Sequence, residues 1–374
     1  MASTSQSPSR DQRLDFWRGL CLIDMVLVHL YYQNVQFGDF LGQFLGNYTR
    51  FAAGGFIFVS GLSIGVIFWP RVQDDRRRTS TYKSLWRRSV YILGVHYLSA
   101  MVLIAMEIVR GLRGNFNNPL AILQDVFLLR EGGDLLPFYV MMIALSPFLM
   151  QAFRLKWGWL GVLIASVSFF IYGLWHPWTF APAQHLTFPP ILWQMIFILG
   201  LLLGWAWPKY NALTNAKKTM IATLSWFITA TLFVMEYGYQ WGMPQLSLGL
   251  TFAKVPLSAP ETLRYLSITL ALITTTDVLW PHISDLSAAA FVQTLGRKSL
   301  PVYVLHLWVV EAVGALAVSC QSMGAWQIIF AIVSILILWL FALILDLSNQ
   351  AKSPRPPTAS RARIFSDPFP SGAR

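Results

Sequence analysis

Residues Arg13 to His29, RLDFWRGLCLIDMVLVH, put two arginines, two aspartates and a histidine at the mouth and in the interior of the first apolar segment. Ionisable side chains are expensive inside a membrane and by default mark a working site there. A helix rises about 1.5 Å and turns about 100° per residue, so Arg18 and His29 lie roughly 16 Å apart along the axis and within about 20° of one face. Leu22 and Met25 fall between them on that face. The stripe carries a fixed cation near the membrane surface and a titratable imidazole deep inside, which suits a ligand with an anionic head and a long arm. A plainer arrangement also fits, with Asp15 and Arg18 forming an ordinary ion pair three residues apart and His29 hydrogen-bonded within a bundle.

The rest of the chain agrees with a membrane setting. Of its 374 residues 55% are hydrophobic and 12% charged, with a mean hydropathy of +0.52. Ordinary soluble domains are roughly 25% charged, so too few polar groups remain here to cover a water-facing surface. The first apolar segment is too long for a signal core, and Leu30-Tyr31-Tyr32-Gln33 after it lacks the small residues of a cleavage site, so it is expected to stay as an anchor. Cys21 and Cys320 both lie in apolar segments, where a thiol behaves as a small hydrophobe.

Crossing a hydrocarbon core of about 30 Å takes roughly 20 helical residues. Ten segments qualify, near 16–33, 51–69, 89–109, 135–153, 157–175, 190–207, 219–238, 263–280, 299–319 and 324–345. A shorter apolar stretch at 120–129 contains Gln124 and Asp125 and reads as a re-entrant or interfacial helix. With the N-terminus in the cytoplasm, ten spans place 22 of the 28 lysines and arginines on the inner side, as the positive-inside rule requires. An eleventh span at 120–129 would reverse every later loop. The sequence therefore predicts an all-α, multi-pass protein of the inner (cytoplasmic) membrane, with about ten transmembrane helices and both termini cytoplasmic. Residues 1–12 are expected to be disordered, 13–347 to form the membrane domain, and 348–374, rich in proline and arginine, to be a disordered basic tail. The net charge of +11 is then topological, and no nucleic-acid partner is expected. The run Arg76-Arg77-Arg78 reads as a topogenic, lipid-contacting loop.

Other membrane-embedded groups extend the site. The second segment holds Gly54-Gly55, Ser60-Gly61, Ser63 and Gly65, small residues that allow a close helix neighbour or an extended ligand, close packing being the simpler use. Near residue 296 a helix start is signalled by Gly296-Arg297-Lys298-Ser299-Leu300-Pro301, with Ser299 as its cap. Arg297 and Lys298 there, helped by a helix N-terminus that favours anions, join Arg18 as candidate ligands of an anionic head group, or serve only as topogenic charges. His306 follows one to two turns further in and is a candidate supporting residue. Asp24 is turned about 140° from His29 and is expected to bond a neighbouring helix. On the far side Glu131, Asp134 and Trp178 offer carboxylates and an aromatic face, either as a platform for sugar rings or as part of an interfacial belt. No cluster has metal-ligand spacing, and no metal is expected.

Five stretches together resemble a known family: RLDFWRGL at 13–20 with the later His29, FIFVSGLSIG at 56–65, DLLPFYVMMIALSP at 134–147, PPILWQMIFILGLLLGW at 189–205 and LGRKSLPVYVLHLWV at 295–309. In that order they look like the OpgC family of membrane succinyltransferases acting on osmoregulated periplasmic glucans, within the wider acyltransferase-3-like enzymes. The resemblance implies an O-acyltransferase that takes an acyl group from cytoplasmic acyl-CoA and delivers it to a hydroxyl of a periplasmic glucan or other envelope carbohydrate. It implies that Asp15, Arg18 and His29 occupy the family's arginine and histidine motif. Joined to the reading of the residues, this makes Asp15 and His29 the expected catalytic groups and Arg18, helped by Arg297 and Lys298, the expected holder of the donor. The chain departs from the family pattern where Val28 precedes the histidine and where 50–55 carries no carboxylate, which leaves both succinyl-CoA and acetyl-CoA open as donors. A transporter or flippase of a sugar or lipid-linked intermediate is the alternative for the same buried charges. The paired broken helices of many transporters are not visible in the sequence.

Overall fold

The computed structural model describes residues 11–32, 49, 51–109, 135–179, 187–238, 240–242, 250–319 and 324–351. Among these residues the chain forms twelve helices: α1 Gln12–Tyr32, α2 Ala52–Gln73, α3 Asp75–Val109, α4 Leu135–Phe153, α5 Gly158–Trp175, α6 Pro190–Trp205, α7 Trp207–Asn211, α8 Asn215–Tyr237, α9 Ala259–Ile283, α10 Ser287–Arg297, α11 Ser299–Ser319 and α12 Gly324–Ala351. The one extended feature among them is an isolated bridge between Lys254 and Leu257.

A helix stands at each of the ten expected spans. Eight are long and apolar enough to cross a membrane. The other two are α1, which carries Arg13, Asp15, Arg18 and Asp24, and α6, with 16 residues. The last helix runs on to Ala351, past the expected start of the tail. The short helix expected near 120–129 and most of both terminal segments lie outside the described residues.

The bundle is centred on α2, which is buried along most of its length and packs most closely against α6. A Cβ on Gly61 would stand 2.1 Å from the Phe197 carbonyl oxygen, so the small residues of this segment do serve a close helix crossing. The amphipathic helix α10 lies as tightly against α1, where a Cβ on Gly296 would stand 1.7 Å from the Asp15 carbonyl oxygen. That contact fixes the α10–α11 junction beside the start of α1. Ser299 is the first residue of α11 rather than its cap, and the Lys298 carbonyl accepts the Val302 N–H at 3.0 Å.

Asp24 bonds across to the beginning of α2, accepting from Thr49 and from the backbone N–H of Ala52. It thereby supplies acceptors to a helix start whose own N-cap residue, Phe51, makes no side-chain bond. Near the basic end of the bundle, Asp277 of α9 joins Arg13 of α1 and Lys218 of α8. The outermost helices present apolar faces outward: Ile328, Ile332, Leu336, Leu340 and Ile344 of α12 are exposed, while Ala331, Leu338 and Ala342 face the bundle. Such a stripe has its solvent in lipid tails, which leave no driving force to cover it.

Candidate active site

Arg18 is held from two helices. Its Nη1 lies 3.0 Å from Asp15 Oδ1 within α1, and its Nη2 donates to Ser63 Oγ of α2 at 2.8 Å. The ion pair anticipated between Asp15 and Arg18 therefore forms, but away from the surface: their side chains are 3% and 13% exposed. Asp15 stands fourteen residues before His29, about 21 Å along a helix, so its carboxylate serves the guanidinium and not the imidazole.

Both residues line a cavity of about 860 Å³. Six cations line it: Arg18, Arg71, Arg77, Arg88, Arg297 and Lys298, against the carboxylates of Asp11, Asp15 and Asp74. Arg297 and Lys298 converge with Arg18 as expected, and both are tied to Asp346 of α12, at 3.1 and 3.3 Å. Asp11, just before α1, is already committed: burial would raise its carboxyl, but hydrogen bonds and charge from Arg13 outweigh this and hold it below the ordinary carboxylate value. Along α2 the lining runs from Arg71 back to Phe56, a helical distance of about 22 Å. One end of the cavity is cationic and the other aromatic, formed by Phe56, Tyr139 and Tyr303.

Behind the aromatic end stands a histidine pair. Tyr303 packs its ring 4.9 Å from His306, and His306 Nε2 lies 3.2 Å from His29 Nδ1. The two imidazoles are nearly parallel, 16° apart with centroids at 5.3 Å, and His306 is fully buried. His29 is not itself a lining residue of the cavity; it is reached through Tyr303 and His306. From elsewhere in the chain Lys254, seated over the Phe188 ring at 5.3 Å, is near enough for its charge to act on His29. Arg18 and His29 thus both point into the bundle, at separate depths of one helix.

Of the residues expected on the carbohydrate side, Glu131 and Asp134 lie outside the described residues. Trp178 is half-buried in the turn after α5 and does not line the cavity. Among the described residues no group of three or more His, Cys, Asp or Glu is arranged to hold a metal ion.

Sequence reasoning did not single out Ser63 as a partner of Arg18, nor Asp346, Tyr139, Tyr303, Arg71 or Arg88, and it read Arg77 as topogenic. For Asp346 a signal existed, since an aspartate near the end of a strongly apolar helix is costly and needs partners.

An all-helical, multi-pass membrane protein with a cation-lined cavity leading toward a buried histidine pair is the class these features define. The family model described as OpgC protein matches residues 10–350, and the chain belongs to that family. Membership points to a membrane acyltransferase-type role in glucan modification. No curated protein and no solved structure matches the chain.

Proposed function

We propose that the protein is a membrane O-acyltransferase of the inner membrane, spanning it about ten times with both termini in the cytoplasm. It moves an acyl group, succinyl or acetyl, from cytoplasmic acyl-CoA to a hydroxyl of a periplasmic glucan or another envelope carbohydrate. The observation that carries this reading is the cavity, whose cationic mouth and aromatic end match a donor with a polyphosphate head and a long, weakly polar arm.

Arg18, Arg297 and Lys298 bind the phosphates, charge-assisted hydrogen bonds of this kind being the strong ones. Asp15, Ser63 and Asp346 orient those cations. The arm follows the cavity toward Tyr303, and the thioester passes it to meet His29. An acceptor hydroxyl, arriving from the side of Lys254 and Trp178, gives its proton to His29 as its oxygen bonds the thioester carbon. The carbon–sulfur bond then breaks, and the leaving thiolate takes the proton back from the imidazolium. General-base help of this type contributes about 10² to 10⁴ in rate. Tyr139 and Tyr303 line this end of the cavity, and a tyrosine hydroxyl can donate to a developing oxyanion.

Proteoliposomes given labelled acyl-CoA and glucans test the reading directly. Label is expected on glycan with the native protein and lost with His29→Ala, the variant remaining inserted and folded. Turnover unchanged by His29→Ala overturns the assignment, and sugar crossing the bilayer unmodified assigns transport instead.

A further inference from the structure

The histidine pair has a direction, and that direction follows from one backbone carbonyl. His306 Nδ1 is bonded to the carbonyl oxygen of Tyr303. A carbonyl can only accept, so Nδ1 of His306 carries the proton. A neutral imidazole has one N–H, which leaves a lone pair on Nε2 of the same ring. The atom facing that lone pair is His29 Nδ1, at 3.2 Å, and it must therefore be the donor. His29 has then spent its one proton on His306, and its Nε2 is a bare acceptor.

We propose that His306 is a positioning residue that fixes His29 as the Nδ1-protonated tautomer and so presents Nε2 of His29 as the base. The use of that base rests on the acyl-transfer reading above; the proton assignment does not. Among the described residues neither ring has a carboxylate hydrogen-bond partner, so the relay is neutral from end to end. That suits its depth, because a resting carboxylate in hydrocarbon carries a desolvation cost that two imidazoles and a carbonyl avoid. When Nε2 takes the acceptor's proton, the charge that appears on His29 is shared through Nδ1–H with the His306 lone pair. His306 in turn leans on the Tyr303 carbonyl dipole. Without His306, the His29 ring is free to place its proton on either nitrogen and to rotate, and only part of the population is productive.

Nitrogen-15 NMR of the full-length, histidine-labelled protein in lipid nanodiscs reads the tautomer itself, the His29 signals being identified by their loss in His29→Gln. The expected result is a protonated Nδ1 and an unprotonated Nε2; protonation at Nε2, or exchange between both forms, overturns the proposal. His306→Leu is expected to release His29 into a mixture of tautomers and to lower turnover on the order of 10²-fold, the lower end of a general base's contribution. Donor KM should stay unchanged. His306→Gln, whose carbonyl can accept from His29 while its amide donates to Tyr303, is expected to keep the tautomer and most of the turnover. If folded Leu and Gln variants lose activity alike, or if His306→Leu leaves the tautomer intact, His306 has no positioning role. A protein that moves no acyl group but shows the fixed tautomer refutes the acyl-transfer reading alone; acyl transfer with an unfixed tautomer refutes this one alone.

Discussion

Ser63 joins Arg18 across the α1–α2 interface by donating its O–H to the Val59 carbonyl at 2.6 Å and accepting from Arg18 Nη2 at 2.8 Å and Nε at 3.3 Å. With its hydroxyl committed to Val59, the serine has only a lone pair to offer, and the guanidinium supplies what that lone pair needs. Hydrogen bonds to a charged group are worth about 1.5–3 kcal/mol. Ser63→Ala is therefore expected to weaken acyl-CoA binding roughly tenfold, measured by calorimetry, with turnover at saturating donor nearly unchanged. The serine touches the proposed head-group site and not His29, so a loss confined to turnover contradicts its assignment.

Arg18 and Arg297 differ in exposure, and the difference is measurable in salt. Arg297 is 37% exposed and Arg18 13%, and screening acts on exposed charges far more than on buried ones. Arg297→Ala is expected to cost donor affinity chiefly at low ionic strength, the deficit shrinking as salt rises. For Arg18→Ala the deficit should be larger and persist in salt. Equal salt responses from the two variants would show that both act only through long-range attraction.

The parts of this arrangement that were legible in the sequence share a property: each is an ionisable residue where hydrocarbon makes it improbable. Arg18, His29 and His306 stand out in apolar segments, and helical spacing alone put Arg18 and His29 on one inward stripe. The ten apolar runs marked their helices for the same reason. Arg71, Arg77 and Arg88 were hidden by the opposite circumstance, since arginine in a loop read as cytoplasmic is what topology alone demands. Tyr139 and Tyr303 were lost among aromatics that make up 15% of the chain. Ser63 sat in a stretch whose small residues are already accounted for by the α2–α6 crossing. Pairings such as Asp346 with Arg297 and Lys298 join distant parts of the chain, and no local pattern carries them.

Gly296 offers a steric test of how the cationic mouth is assembled. A methyl group there would meet the Asp15 carbonyl oxygen at 1.7 Å, and backbone on both sides leaves no flexible side chain to yield. In Gly296→Ala, α10 must move away from α1, at about 1–3 kcal/mol for overpacking. The displacement separates Arg297 and Lys298 from Arg18. The expected outcome is a lowered Tm together with weakened donor binding, while a Gly94→Ala control, where the new methyl meets nothing within 4 Å, leaves both unchanged.

Asp277 anchors the start of α1 and so sets the platform from which Arg18 projects. Its side chain is 2% exposed and bridges Arg13 of α1 and Lys218 of α8, the latter at 2.7 Å. Both cations also lie over rings, Arg13 over Trp207 at 5.3 Å and Lys218 over Tyr210 at 5.2 Å, which holds them in place whether or not the carboxylate is present. Removing Asp277 therefore strands Lys218, while Arg13 keeps its ion pair with Asp11 at 2.7 Å, and breaking a buried pair costs about 3–5 kcal/mol. Asp277→Asn is expected to fall in this range by reversible unfolding in detergent. Replacing Asp277 and Lys218 together by leucine removes the stranded charge along with its partner, leaves Arg13 paired with Asp11, and is expected to recover most of the loss, because apolar groups of similar volume commonly substitute for a buried ion pair without penalty. If Asp277→Asn unfolds within 1 kcal/mol of the native protein, water reaches the cluster and it does not anchor α1. If instead the double variant is as unstable as Asp277→Asn, the loss comes from packing and the charges are not its source.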